Sequence, residues 1–119
     1  MKVNEYLNVK KNGKGKEYEH DKLKFEGEYL NGKRNGKGKE YSYNEQLLFE
    51  GEYVNGKKWN GKGYDNSGNI SYELKDGKGL VKEYSYYLQL DFEGEYLNGE
   101  RNGKGKGYNN GKVIFEVNI

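Results

Sequence analysis

Phe25-Glu26-Gly27-Glu28-Tyr29-Leu30-Asn31-Gly32-Lys33-Arg34-Asn35-Gly36-Lys37-Gly38-Lys39 returns almost unchanged as Phe92–Lys106, and in looser form as Phe49–Gly63. Phe25 and Phe49 stand 24 residues apart, and a truncated copy opens the chain at Glu5–Lys16. Self-similarity at this period marks a protein built by stacking one small unit, each burying its apolar face against the next. Such a stack offers a surface rather than a reaction centre.

Within the unit, Asn31-Gly32 decides the local structure. A two-residue type I′ turn needs positive φ at both central positions, which Asn-Gly accommodates. Centring the hairpin there sets Leu30 opposite Lys33, Tyr29 opposite Arg34, Glu28 opposite Asn35, Gly27 opposite Gly36, Glu26 opposite Lys37 and Phe25 opposite Gly38. Side chains alternate between faces, so Phe25, Gly27, Tyr29, Arg34, Gly36 and Gly38 share one, while Glu26, Glu28, Leu30, Lys33, Asn35 and Lys37 share the other. The first face is predicted to lay aromatic rings over bare glycine backbone, with Arg34 in cation–π contact beside Tyr29. The second pairs glutamate with lysine in water.

The turn recurs at Asn55-Gly56 and Asn98-Gly99. Tyr41–Leu48 and Tyr84–Asp91 return the chain to the next unit, and Asn66-Ser67-Gly68-Asn69 and Asn109-Asn110-Gly111 read as turns. Trp59, an extra residue between Lys58 and Asn60, predicts a bulge. Ser71–Gly79 has lost the middle of the unit, which puts its turn at Asp76-Gly77. In the first copy Val9 replaces the turn glycine, and Lys2 and Asn4 stand where Phe25 and Gly27 would be. Short connections throughout predict an all-β fold, an elongated single-layer twisted antiparallel sheet of successive hairpins. One domain is expected over residues 1–119, with repeats near 1–24, 25–48, 49–70, 71–91 and 92–114 and a terminal half-repeat at 115–119.

Composition sharpens this. Only 32% of residues are hydrophobic and 34% are charged, a balance that in a featureless chain would mean disorder. The 21 basic and 19 acidic residues nearly cancel, however, and the 13 Tyr, 4 Phe and 1 Trp fall at fixed places in the unit, so an ordered chain is expected. There is no cysteine, which excludes disulfides and thiolate chemistry. Met1–Lys11 is polar, unlike a secretion signal, and no run approaches membrane-spanning length; the expectation is a cytoplasmic protein, at most peripheral to a membrane, or a piece of a larger one. His20 is the only histidine and lies in a linker between Glu19 and Asp21, which reads as an exposed turn residue rather than a base. The regular carboxylates Glu26, Glu28, Glu50, Glu52, Glu93 and Glu95 pair with lysine. With no histidine cluster and no calcium-loop spacing, neither a metal, a cofactor nor a catalytic residue is expected.

These residues resemble the MORN (membrane occupation and recognition nexus) repeat. The match runs through Phe25-Glu26-Gly27-Glu28-Tyr29 with Gly32, Gly36 and Gly38; Phe49-Glu50-Gly51-Glu52-Tyr53 with Gly56, Gly61 and Gly63; and Phe92-Glu93-Gly94-Glu95-Tyr96 with Gly99, Gly103 and Gly105. The resemblance implies a twisted hairpin array with a groove along one side and a non-catalytic scaffold or targeting role, with a peptide, a helix or a second copy as partner. On that basis Phe25, Tyr29, Phe49, Tyr53, Phe92 and Tyr96 form a ladder that reads either as core or as the floor of a partner groove. Trp59 and Tyr72 interrupt the ladder and are candidate recognition residues. The alternatives are a peripheral membrane module gripping anionic lipid through Lys33, Arg34, Lys37, Lys57, Lys58, Arg101 and Lys104, or the regulatory domain of a larger enzyme. Against the lipid reading, lysine on a strand also blocks edge aggregation and pairs with neighbouring glutamate. Nucleic acid is disfavoured because the acidic strands would repel its backbone. Val113, Phe115 and Val117 alternate along an apolar edge, which predicts self-association by strand pairing.

Overall fold

The computed structural model describes residues 12–118. The altered positions Lys2, Asn4 and Val9 of the opening copy lie outside them, as does Ile119. Ten strands follow in chain order: β1 (Asn12–Glu19), β2 (Lys22–Leu30), β3 (Lys33–Tyr41), β4 (Leu47–Val54), β5 (Lys57–Tyr64), β6 (Ile70–Leu74), β7 (Gly79–Tyr84), β8 (Leu90–Leu97), β9 (Glu100–Asn109) and β10 (Lys112–Asn118). Successive strands pair antiparallel except β6 with β7, and no helix occurs among the described residues. The ribbon is divided between β6 and β7 into a six-stranded sheet, β1 to β6, and a four-stranded sheet, β7 to β10. Only the single bridge Lys75–Lys78 continues the ladder across that joint.

The turns form where Asn-Gly and Asp-Gly demand them, with positive φ at Asn31, Asn55, Asp76, Asn98 and Asn110 and at the glycine after each. His20-Asp21 makes a turn of the same kind, and His20 is exposed. Successive turn tips bond to one another. Gly56 N–H donates to the Arg34 carbonyl at 2.8 Å, Gly77 N–H to the Trp59 carbonyl at 2.9 Å and Gly99 N–H to the Gly77 carbonyl at 2.9 Å. This spine crosses the joint between the sheets. At the opposite edge, the return loops after β3 and β7 also meet. Tyr43 N–H donates to the Tyr86 carbonyl at 3.0 Å, and the rings of Tyr43, Tyr86 and Tyr87 touch with centroids 5.2–6.4 Å apart. The array measures 39 × 28 × 23 Å, and its two sheets are pinned at both edges.

The simple hairpin register holds only at the turn. Leu30 faces Lys33 and Tyr29 faces Arg34, but Gly27 faces Gly38 rather than Gly36, Glu26 faces Lys39 rather than Lys37, and Phe25 faces Glu40 rather than Gly38. A two-residue slip therefore lies opposite Glu28. Gly36 takes it up at φ 102°, and the Glu28 carboxylate accepts the freed Lys37 N–H at 2.6 Å. Glu95 accepts from Lys104 N–H at 2.7 Å beside Gly103 in the fifth unit. In the third unit Trp59 supplies the predicted bulge, and Gly51 then faces Gly61.

The outcome is one row of backbone contacts, Gly15–Gly27–Gly38–Gly51–Gly61, running across five strands. A Cβ built on Gly27 would lie 2.7 Å from Gly38 Cα and 2.8 Å from the tip of the Phe25 ring. Gly27→Ala is expected to destabilise the array by about 1–3 kcal/mol through overpacking, read as a lower denaturation midpoint with an unchanged denaturant slope.

Candidate functional site

On the first face Phe25, Phe49 and Phe92 each lie over glycine backbone and beneath a cation. Phe25, Phe49 and Phe92 are almost wholly buried. The guanidinium of Arg34 sits 3.9 Å from the Phe25 centroid, Arg101 repeats this over Phe92 at 3.9 Å, and the Lys58 ammonium stands 4.9 Å above Phe49. Arg34 thus stacks on Phe25, and at 5.6 Å on Tyr53, rather than on Tyr29. Tyr29 and Tyr53 meet the Phe25 ring edge-on at 5.8 and 5.3 Å, while Tyr72 stacks on Phe49 at 6.3 Å.

Those cations are held by carboxylates from the preceding unit. Arg34 makes a two-pronged pair with Glu17 (2.9 and 2.9 Å) and reaches Glu40 at 3.4 Å. Glu40 in turn pairs with Lys58 at 3.0 Å, and Glu83 pairs with Arg101 at 2.6 Å. Tyr29 Oη donates to Glu17 at 2.5 Å, and Tyr96 Oη donates to Glu83. Each unit is thereby fastened to the one before it by a glutamate–cation–ring stack. Burial alone would push Glu40 up, but the charges of Lys58 and Arg34 outweigh it and hold the carboxyl below its usual range. Glu17 is likewise lowered: burial opposes ionisation, and the Arg34 and Tyr29 hydrogen bonds overcome it. Glu83 is lowered in the same way by Arg101 and Tyr96. Burial would lower Arg34 and Lys58, but Glu17 and Glu40 raise them, so both stay charged.

Sequence reasoning did not find these glutamates. Their signal was the triplet Lys-Glu-Tyr at Lys16-Glu17-Tyr18, Lys39-Glu40-Tyr41 and Lys82-Glu83-Tyr84. At two places glycine stands where the glutamate would be, as Gly63-Tyr64 and Gly107-Tyr108. There a ring from the following strand, Tyr72 or Phe115, lies against the glycine backbone.

Of the ladder, Phe25, Tyr29, Phe49, Tyr53 and Phe92 are buried and Tyr96 is half-buried, and the recognition candidate Tyr72 is buried too, so the rings offer a partner little surface. Trp59 is half-buried in its bulge against Gly77. Among the proposed lipid contacts, Arg34, Lys57, Lys58 and Arg101 are engaged by Glu17, Glu100, Glu40 and Glu83. Lys33, Lys37 and Lys104 are exposed.

The second face is open. Two charged rows flank the glycine row of the six-stranded sheet. One runs Lys16–Glu26–Lys39–Glu50–Lys62–Glu73 and alternates in sign at every strand. The other places Lys14, Glu28, Lys37 and Glu52 on β1 to β4 and Asn60 on β5. Between the rows lies a shallow trough of about 860 Å³ with glycine backbone as its floor. A trough of about 880 Å³ on the four-stranded sheet repeats this with Lys82, Glu93, Lys106 and Glu116. Among the described residues no cluster of three metal-ligating side chains occurs, and no helix is long and apolar enough to cross a membrane.

Stacked hairpins clamped unit to unit, with open charged troughs on the outer face, define an all-β repeat array. The MORN repeat family model matches residues 25–46, 49–63 and 92–106. The chain is a MORN repeat protein. Comparison with curated proteins and with solved structures gives no significant match. MORN repeats are generally non-catalytic and serve in protein or membrane-lipid interactions.

Two outcomes follow from the clamps. Tyr53 Oη is buried with no hydrogen-bond partner, whereas Tyr29 Oη bonds a carboxylate. Tyr53→Phe is expected to leave stability unchanged or raise it, and Tyr29→Phe to cost about 1.5–3 kcal/mol, compared by chemical denaturation. The second concerns acid. Because the folded state depresses Glu17, Glu40 and Glu83, their contribution is complete above the unfolded carboxylate pKa of about 4.3 and is lost as pH falls through the lower folded values. Thermal melts from neutral pH down through that range should show a steep fall for the wild type and a shallower one for Glu40→Gln.

Proposed function

We propose that this protein is a non-catalytic interaction scaffold that meets a macromolecular partner through the charged outer face of its sheets. The observation that carries the reading is the division of labour between faces. Rings and their cations are consumed in holding unit to unit, while Lys39 and Glu50 keep 48% and 49% of their side chains exposed beside an open trough. A peptide or helix laid across the strands would find charged walls on both sides and bare backbone between them, where close approach costs no side-chain displacement.

The membrane alternative draws on Lys33, Lys37 and Lys104, but each basic strand lies beside an acidic one, which opposes a uniformly anionic surface. Affinity capture from native extract, run in parallel with Lys39→Glu/Glu50→Lys and with anionic-vesicle flotation, tests the proposal. Capture lost in the variant, whose melting is unchanged, supports it. Flotation that fades steeply with salt, with no variant-dependent capture, replaces it with the lipid reading.

A further inference from the structure

The outer face of the six-stranded sheet carries charge in stripes. β1 presents Lys14 and Lys16, β2 Glu26 and Glu28, β3 Lys37 and Lys39, β4 Glu50 and Glu52, β5 Lys62 with Asn60, and β6 Glu73. Alternating sign over an even number of strands has a geometric consequence. A two-fold axis laid along the strands between β3 and β4 maps β3 onto β4, β2 onto β5 and β1 onto β6, each time a basic strand onto an acidic one. We propose that this face is the contact surface of a symmetric homodimer, two copies packed sheet to sheet about that axis. The inference rests on the interaction reading above and names the partner as a second copy of this chain.

An axis parallel to the strands leaves position along each strand unchanged, so rows meet rows. Lys39 then faces Glu50 of the second copy, Lys37 faces Glu52, Glu26 faces Lys62 and Lys16 faces Glu73. The contact is isologous, since every pair occurs twice with the copies exchanged. Sheets pack about 10 Å apart, within reach of a bent lysine on one copy and a glutamate on the other. The strand directions of packed twisted sheets stay within about 30° of each other, which an axis along the strands permits. The side-chain positions of the glycine row point at the rings on the opposite face, so between the charged walls lies backbone alone. Lateral pairing does not use up the central charges: Lys39 and Glu50 stand 3.8 Å apart and each remains about half exposed, whereas Glu26 also accepts from Tyr41 Oη at 2.6 Å and Glu52 from Asn60 Nδ2 at 3.1 Å. A uniformly charged ligand would meet repulsion at alternate strands, roughly every 9.6 Å. The face's own pattern meets none.

The test is sedimentation of the wild type, of Lys37→Glu/Lys39→Glu, of Glu50→Lys/Glu52→Lys, and of an equimolar mixture of the two variants, each checked for native circular dichroism. A wild-type dimer that weakens about tenfold or more between about 0.02 M and 0.5 M salt is expected. Each variant alone should be monomeric, because like charges then meet at β3 and β4, and the mixture should recover a heterodimer. Carbodiimide cross-linking of the wild type gives a readout that needs no variant. Lys16 and Glu73 lie on opposite margins of one sheet, about 24 Å apart by strand spacing, so a zero-length link between them must join two copies. A wild type that stays monomeric at low salt overturns the proposal, even if it captures another protein and so keeps the interaction reading. A dimer indifferent to both variants and lacking the Lys16–Glu73 link also overturns it, and assigns association to the β10 edge instead.

Discussion

A phenylalanine ring lying flat on glycine backbone is the contact on which this array depends. Phe25 touches the positions where Gly27 and Gly38 would carry a Cβ, and Phe92 does the same at Gly94 and Gly105. Only glycine lets a ring descend that far, and only a descended ring can be covered by an arginine whose carboxylate partner belongs to the neighbouring unit. A chain with 32% hydrophobic residues cannot fill a conventional two-layer core. It obtains order by giving each ring two faces of contact, backbone below and guanidinium above. The buried ion pairs that follow are tolerable because the clamping carboxylates, Glu17, Glu40 and Glu83, are each engaged by more than one partner.

Much of this was legible in the sequence, for definite reasons. Asn-Gly turns are local chemistry, so the hairpins and their tips could be placed from dipeptides alone. The aromatic face followed from period-two alternation. The register could not be counted from the turn, because Glu28 does two things at once: it belongs to the acidic row and it accepts the Lys37 amide that the slip sets free. Nothing in a binary pattern distinguishes a glutamate that pairs with a lysine side chain from one that pairs with its backbone. The same blindness hid Glu17, Glu40 and Glu83. Their neighbours in the sequence are lysine and tyrosine, but their partners lie in the next hairpin. Trp59 was read correctly as a bulge because an inserted residue is visible as an insertion. The role of Glu40 needed the fold before it could be seen.

The joint between the two sheets lies one hairpin beyond the first missing glutamate. Where a unit ends in Glu-Tyr, the next hairpin brings a cation to that glutamate: Glu17 receives Arg34, Glu40 receives Lys58 and Glu83 receives Arg101. Where it ends in Gly63-Tyr64, no acid is offered. Tyr72 drops onto the vacant backbone and the short strand β6 closes the first sheet. The chain continues through Asp76-Gly77, held by the turn spine rather than by a continuous ladder.

The single layer also decides what the other face can do. The glycine positions point at the rings, so on the opposite face the same residues show only backbone, as any residue there would. The trough on the outer face is therefore the reverse of the ring sockets, and its walls fall on the neighbouring residues by alternation. Those neighbours are charged because they are solvated, and they alternate in sign because like charges opposite one another weaken strand pairing. Stability within a copy accordingly favours the alternation that makes the surface complementary to its own pattern shifted by one strand. The complementarity of this face to its own pattern is then a by-product of folding.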